Sequence, residues 1–107
     1  MQTEYQQLPE YIDKGTFELN MMKREGDIAL FSRYNRRIKS ISTYEVAVIR
    51  KKGEEKMFDV LLPNREVYPS TSEWGKFGWT YQHLVNAEVK FRKLVEGARL
   101  RAGAAAV

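Results

Sequence analysis

The chain has 107 residues and a net charge of +4, and it contains no cysteine. It is therefore the length of one domain, and disulfides, thiolate catalysis and cysteine-based zinc sites are excluded. No apolar run approaches the length of a membrane span, and the first residues do not have the pattern of a secretory signal, so we expect a cytoplasmic protein without membrane contact.

The predicted elements are a series of strands followed by one helix. Residues 1–15 are polar and contain Pro9 and Gly15, which predicts a flexible or loosely docked arm. Alternating apolar residues and frequent β-branched residues then indicate strands. These strands are predicted over residues 16–22, 28–34 and 43–51, with a return strand over 56–63 and a short strand over 67–69.

The last third of the chain predicts one amphipathic helix over residues 80–97. Its apolar residues recur at spacings of three and four, with Phe91 in the middle of the stripe, and Thr80 is a suitable N-cap. A lone amphipathic helix must bury its stripe against the sheet. The sequence therefore predicts an α+β fold, with an antiparallel sheet of about four strands and a C-terminal amphipathic helix packed on one face. The domain spans residues 16–100, and residues 101–107 form a loose tail.

This fold leaves the second face of the sheet exposed. The residues expected there include Phe31, Ala47 and Ile49. An exposed apolar face of this kind is typical of an interaction surface. We therefore expect it to serve as a homodimer interface or as a ligand surface.

Residues 68–81, YPSTSEWGKFGWTY, contain five aromatic rings and two glycines. In one interpretation the rings close the gap between sheet and helix as a structural plug. In the other they form a binding platform. We expect Trp79 to turn inward and Trp74 to be more exposed. The partner-binding candidates are Trp74, Lys76, Phe77 and Arg65.

The positive charge is concentrated in one part of the chain, because seven basic and two acidic residues lie between residues 27 and 52. Such a cluster favours an anionic partner. The anion-binding candidates are Arg33, Arg36, Arg37, Lys39, Arg50, Lys51 and Lys52. A nucleic-acid binder would place them against phosphates. A protein binder would use the sheet face and the aromatic segment instead, and the lack of a nucleic-acid motif favours this second interpretation.

The sequence contains no recognisable catalytic or metal-binding motif. His83 is the only histidine, and no pair of carboxylates has a spacing that places both in one site. Phosphate-binding glycine loops and zinc or calcium patterns are also missing from the sequence. We therefore expect a protein that is not an enzyme and that has no cofactor and no metal.

Three segments resemble a group of small bacteriophage and prophage proteins. They are REGDIALF, YEVAVIR and YPSTSEWGKFGWTY, the last followed by AEVKF. The resemblance covers about residues 20–95 and has no catalytic motif. It implies a strand-rich body with a final helix, and an accessory protein that acts on a macromolecule inside a bacterial host. It implies no active site.

Overall fold

The computed structural model describes residues 4–105 and has the α+β architecture predicted from the sequence. The elements, in chain order, are β1 (Tyr11–Asp13), β2 (Phe17–Glu25), β3 (Ile28–Asn35), β4 (Ser40–Val48), β5 (Arg50–Lys52), β6 (Glu55–Met57), β7 (Val60–Leu62), β8 (Arg65–Val67), β9 (Gly78–Tyr81) and the helix α1 (Leu84–Ala105). The main sheet has the order β1-β2-β3-β4-β9, and all its pairs are antiparallel. Two small two-stranded sheets, β5 with β8 and β6 with β7, lie between β4 and β9 along the chain.

The helix covers one face of the main sheet, as predicted. Side chains on β3 and β4 alternate between the two faces, so every second apolar residue is directed toward α1. The buried cluster under the helix consists of Ile28, Leu30, Val46, Ala87, Phe91 and Val95. The apolar stripe of the helix is thus paired with the apolar residues of the two central strands.

The second face of the sheet is covered by the chain itself, which corrects the expectation of an exposed surface. Phe31, Ala47 and Ile49 are buried together with Leu19 and Ala29. The residues packed over this cluster are Leu8, Ile12, Met21 and Tyr68. The proposed dimer or ligand surface at Phe31, Ala47 and Ile49 is therefore wrong, because the N-terminal arm and the segment around Tyr68 already cover it.

The neighbour of β4 in the sheet also differs from the prediction. The sequence placed residues 56–63 beside β4, but β9 takes that position. Residues 55–62 instead form a separate hairpin, and β5 pairs with β8. Thr80 is consequently a strand residue opposite Glu45 and not an N-cap, and α1 begins at Leu84.

Both ends of the chain are more ordered than predicted over the described residues. The Gln6 N–H donates to the Asn64 carbonyl, and β1 pairs with β2, so the arm is docked along residues 6–13. The helix continues through Gly97 to Ala105, because its alanine-rich end has high helix propensity. The predicted arm and tail also include residues 1–3, 106 and 107, which lie outside the described residues.

An ion pair joins the arm, β2 and β8. The Arg24 guanidinium donates to both carboxylate oxygens of Glu66, at 2.8 and 2.7 Å. The Leu8 N–H donates to the same carboxylate at 3.0 Å. Glu66 is largely buried, and such charge-assisted, bidentate pairs are stronger than neutral hydrogen bonds. This pair therefore fixes the segments that cover the second face.

The first prediction concerns the helix. Phe91 is only 5 % exposed in the cluster between α1 and the sheet. We expect Phe91→Ala to lower the free energy of unfolding by about 3–5 kcal/mol, because it leaves a cavity that neighbouring side chains cannot fill. Urea unfolding followed by circular dichroism measures this change. The matched control is Val85→Ala on the exposed side of the same helix, and equal losses for the two variants would contradict the packing.

The second prediction concerns Glu66. The hydrogen bond from Arg24 is the main cause that lowers the pKa of Glu66 to about 2, against the opposing effect of burial. Since the folded-state pKa lies below the ordinary value of 4.5, the ionised carboxylate stabilises the fold fully at pH values above this ordinary value. This stabilisation is lost as the pH falls toward 2.

We expect Glu66→Gln to lower the free energy of unfolding at pH 7 by about 1–3 kcal/mol. It should also flatten the loss of stability on acidification, because the titrating carboxyl group has been removed. Unfolding curves measured over a pH series would show both effects. Glu96→Gln, an exposed helix variant, is the control, and an unchanged acid profile in Glu66→Gln would exclude this role.

Candidate functional site

The most exposed apolar group of the described chain lies on the hairpin formed by β6 and β7. We call residues 55–62 the apolar hairpin. Phe58 at its tip is 93 % exposed, and its other exposed apolar side chains are Met57, Val60 and Leu61. Among the described strands, the two strands of this hairpin pair only with each other. Contiguous exposed apolar surface is typical of an interaction site.

The backbone at the tip of the hairpin favours residues other than those present. Phe58 and Asp59 have φ angles of 51° and 65°. Positive φ at both central positions is the pattern of a type I′ turn, in which asparagine and glycine are preferred. A bulky aromatic residue with positive φ is an outlier that the rest of the structure must compensate. The sequence thus places a large apolar side chain at a position where the backbone disfavours it.

Arg65, a predicted partner-binding residue, lies at the base of the hairpin. Its guanidinium donates to Glu55 at 2.6 Å and to the Pro63 carbonyl at 3.3 Å. The hydrogen bond from Arg65 is the main cause that holds the pKa of Glu55 below its ordinary value, with Lys52 contributing. Arg65 is only partly exposed, so it positions the hairpin rather than presenting a charge to a partner.

The aromatic segment contributes to both faces of the sheet. Trp74 lies on the second face, where its Nε1–H donates to the Thr80 hydroxyl at 3.0 Å. The centroid of its ring lies 5.9 Å from the centroid of the Tyr68 ring. Trp79 lies on the helix face, with the Lys90 amino group 4.1 Å from its ring centroid. Both indoles are half-buried. The expected contrast between an inward Trp79 and an exposed Trp74 is therefore wrong, because each ring covers its own face of β9.

The other two partner-binding candidates lie beside Arg50. The Arg50 guanidinium is 4.2 Å from the centroid of the Phe77 ring, and Lys76 is exposed next to it. Arg50 also donates to Glu73 at 2.7 Å. The structure thus brings Lys76 and Phe77 together, whereas Trp74 lies on the second face and Arg65 at the hairpin base.

The predicted anion-binding residues do not form one patch. Lys39 and Arg50 are separated by the length of β4, on the order of 30 Å. Arg36 donates to Asp13, Glu18 and the Tyr11 hydroxyl, and thereby fastens the arm. The remaining candidates have separate environments: Arg33 stacks on Phe17, Lys51 lies near Tyr5, Lys52 pairs with Glu55, and Arg37 and Lys39 are exposed near the β3–β4 turn.

The second face also carries an open cavity of about 380 Å³, which we call the second-face cavity. It lies between the arm, the sheet and the segment that follows β8. The residues that line it are Lys14, Phe17, Leu19, Arg33, Glu45, Tyr68, Pro69, Thr71, Trp74 and Thr80. Its volume is within the range of small-molecule sites, and its walls combine three aromatic rings, those of Phe17, Tyr68 and Trp74, with charged and hydroxyl-bearing side chains.

Glu45 is the buried charge of this cavity. The Tyr68 hydroxyl donates to one carboxylate oxygen of Glu45, and the Arg33 Nε lies 3.8 Å from the other. Burial first, and the Glu45 carboxylate second, raise the pKa of Tyr68 above its ordinary value. Tyr68 therefore stays protonated at neutral pH and remains a hydrogen-bond donor to Glu45.

The sequence analysis missed both the hairpin and the cavity. The hairpin had one usable signal: Val60, Leu61 and Leu62 are consecutive apolar residues that do not alternate as a half-buried strand would. The cavity had none, because Glu45 and Tyr68 are 23 residues apart and meet only after β8 folds back over the sheet.

Comparisons with known proteins do not show a family. No protein-family model, curated protein or solved structure gives a significant match to this chain. Within residues 4–105, no group of three or more histidine, aspartate or glutamate side chains is placed to hold a metal ion. The helix in the same part of the chain is not apolar enough to cross a membrane.

The third prediction concerns the contact between Gly78 and Trp74. A Cβ added at Gly78 would lie 2.3 Å from Cζ3 of the Trp74 ring, so the ring would have to move. We expect Gly78→Ala to lower the free energy of unfolding by about 1–3 kcal/mol, as overpacking does. In a Trp74→Ala background the same change should cost much less, because the ring that it strikes is gone.

Thermal unfolding of the two single variants and the double variant measures this coupling. The control is Gly53→Ala, since a Cβ at Gly53 meets only the Asn64 side-chain oxygen at 3.6 Å. Additive losses in the Gly78 and Trp74 variants would contradict the contact.

Proposed function

We propose that this chain is a non-catalytic binding protein that attaches to a partner protein through the apolar hairpin. The observation that supports this most strongly is Phe58, a nearly fully exposed aromatic side chain at a backbone position that disfavours it. Aromatic anchors that enter a pocket of the partner dominate many protein interfaces. The partner that fits this surface has an apolar groove wide enough for a two-stranded tip.

The charges of the hairpin support a protein partner over nucleic acid. The Lys56 amino group lies 4.0 Å from a carboxylate oxygen of Asp59 beside the tip. The hairpin therefore has no excess positive charge of its own. Elsewhere, Arg36, Arg50 and Arg65 are engaged in ion pairs within the chain. A phosphate-binding surface needs several cations that are available together.

We also propose a biological setting for this binding, which is a bacterial cell that carries a phage or prophage. The resemblance of residues 20–95 to bacteriophage and prophage proteins supports an accessory protein that binds and modulates a host protein in the bacterial cytoplasm. A small phage-type protein without catalysis acts by occupying a surface of its target. The hairpin offers such a contact without disturbing the core, because its strands pair only with each other among the described strands.

The fourth prediction tests the hairpin with Phe58→Asn. Asparagine tolerates positive φ, so we expect an unchanged or raised melting temperature. If Phe58 is an anchor worth about 2 kcal/mol, the dissociation constant for the partner should rise about 30-fold. The matched control is Leu100→Asn, which changes an exposed apolar residue on the helix and should leave binding unchanged.

The measurement has two steps. A photoreactive phenylalanine analogue at position 58, and in a second protein at position 100, is first cross-linked in nuclease-treated bacterial lysate. A stoichiometric protein product at position 58 alone identifies the partner, and calorimetry with the purified partner then gives the affinities of both asparagine variants. The proposal fails if the two positions give the same products, or if Phe58→Asn binds the partner as tightly as the parent protein.

A further inference from the structure

The second-face cavity contains an acceptor, the Glu45 carboxylate, next to a donor, the Arg33 guanidinium. Both groups can form further hydrogen bonds. One carboxylate oxygen of Glu45 accepts from Tyr68, but the other is 3.8 Å from the Arg33 Nε, which is longer than a hydrogen bond. The Arg33 guanidinium donates no hydrogen bond to another side chain among the described residues. A ligand that offers both a donor and an acceptor along one edge would satisfy both groups.

The walls of the cavity suit a flat ligand. The Arg33 guanidinium is stacked on Phe17, with 3.6 Å between its central carbon and the ring centroid. Tyr68 and Trp74 supply two further rings. Aromatic side chains and stacked arginines are the groups on which nucleobases stack, and they accept every base because each has a π-face.

The cavity is also preformed, because contacts within the protein hold two of its aromatic rings in place. Tyr68 is fixed by its hydrogen bond to Glu45 and by an edge-to-face contact with Phe31, with 5.4 Å between the ring centroids. Trp74 is fixed by its hydrogen bond to Thr80 and by the close approach of its ring to Gly78. A site whose rings are already held in place loses less conformational freedom on binding.

The charges that line the cavity favour an anionic ligand. Lys14 and Arg33 carry two positive charges, against one negative charge on Glu45. The Lys14 amino group lies 5.5 Å from the centroid of the Tyr68 ring, and Lys14 is an exposed residue that lines the cavity. When the base of a nucleotide lies inside the cavity, this amino group attracts the phosphate carried by the ribose.

We propose that the second-face cavity binds a nucleobase, with Glu45 accepting from its ring or exocyclic N–H and Arg33 donating to its carbonyl or ring nitrogen. Carboxylates and guanidinium groups pair with base edges in this way in protein–nucleic acid complexes. The base has two sources with the same chemistry, a free nucleotide or one base of a single strand. This site is separate from the apolar hairpin, and the inference does not depend on the proposed partner protein.

The test follows the fluorescence of Trp74 in the full chain with Trp79 replaced by phenylalanine. The probes are GMP, AMP, CMP, UMP, ribose 5-phosphate and short single-stranded oligonucleotides. We expect quenching by the base-containing probes and none by ribose 5-phosphate. Quenching by mononucleotides identifies a free nucleotide as sufficient, whereas quenching by oligonucleotides alone identifies a single strand as the source.

Two variants test the assigned contacts. Arg33→Met should weaken binding at least about tenfold, and Glu45→Gln, which still accepts from Tyr68, should change the order of preference among the four bases. The matched control is Arg37→Gln, because Arg37 is exposed near the β3–β4 turn, outside the cavity. Circular dichroism confirms that each variant is folded, and Phe58→Asn should bind the probes like the parent protein.

A second measurement does not depend on any variant. In the unmodified protein, the NMR signal of the Trp74 indole N–H should shift on addition of the base-containing probes, because this group lies at the cavity wall. The inference is overturned if no probe shifts this signal at millimolar concentration, or if ribose 5-phosphate shifts it as strongly as the nucleotides do.

Discussion

The rest of the structure depends on covering the second face of the main sheet. One helix can bury only one face, yet Phe31 and Ala47 on the opposite face are fully buried. The cover is made of short segments with few apolar residues of their own. Charged and hydrogen-bonded contacts hold it in place, chiefly the Arg24–Glu66 pair and the hydrogen bond from Tyr68 to Glu45.

This kind of cover explains where the two candidate sites lie. The arm and the segment around Tyr68 are held by a few polar contacts and do not fill all the space over the second face. The second-face cavity remains between them. The apolar hairpin connects β5 to β8 and is not needed for the cover, so its side chains stay exposed. The segment between β4 and β9 thus contributes both the protruding apolar tip and one wall of the cavity.

The same contacts explain why the basic part of the sequence does not form one basic patch in the structure. Two arginines in the basic part of the sequence fasten the cover: Arg36 joins Asp13 of the arm to Glu18 of β2, and Arg50 pairs with Glu73. A composition counts charges but does not show which of them face each other. Arg33 differs from these, because it lines the second-face cavity and stacks on Phe17.

The sequence by itself determined the fold class, the two faces of β3 and β4, and the burial of Phe91, because these follow from periodicities of two and 3.6 that are local in the chain. Only the tertiary structure decided that β9 lies beside β4, that residues 55–62 form their own hairpin, and that Glu45 meets Tyr68. The physical reason is that strand partners and polar contacts between distant residues depend on which pairing buries the second face best. Local patterns do not contain that information.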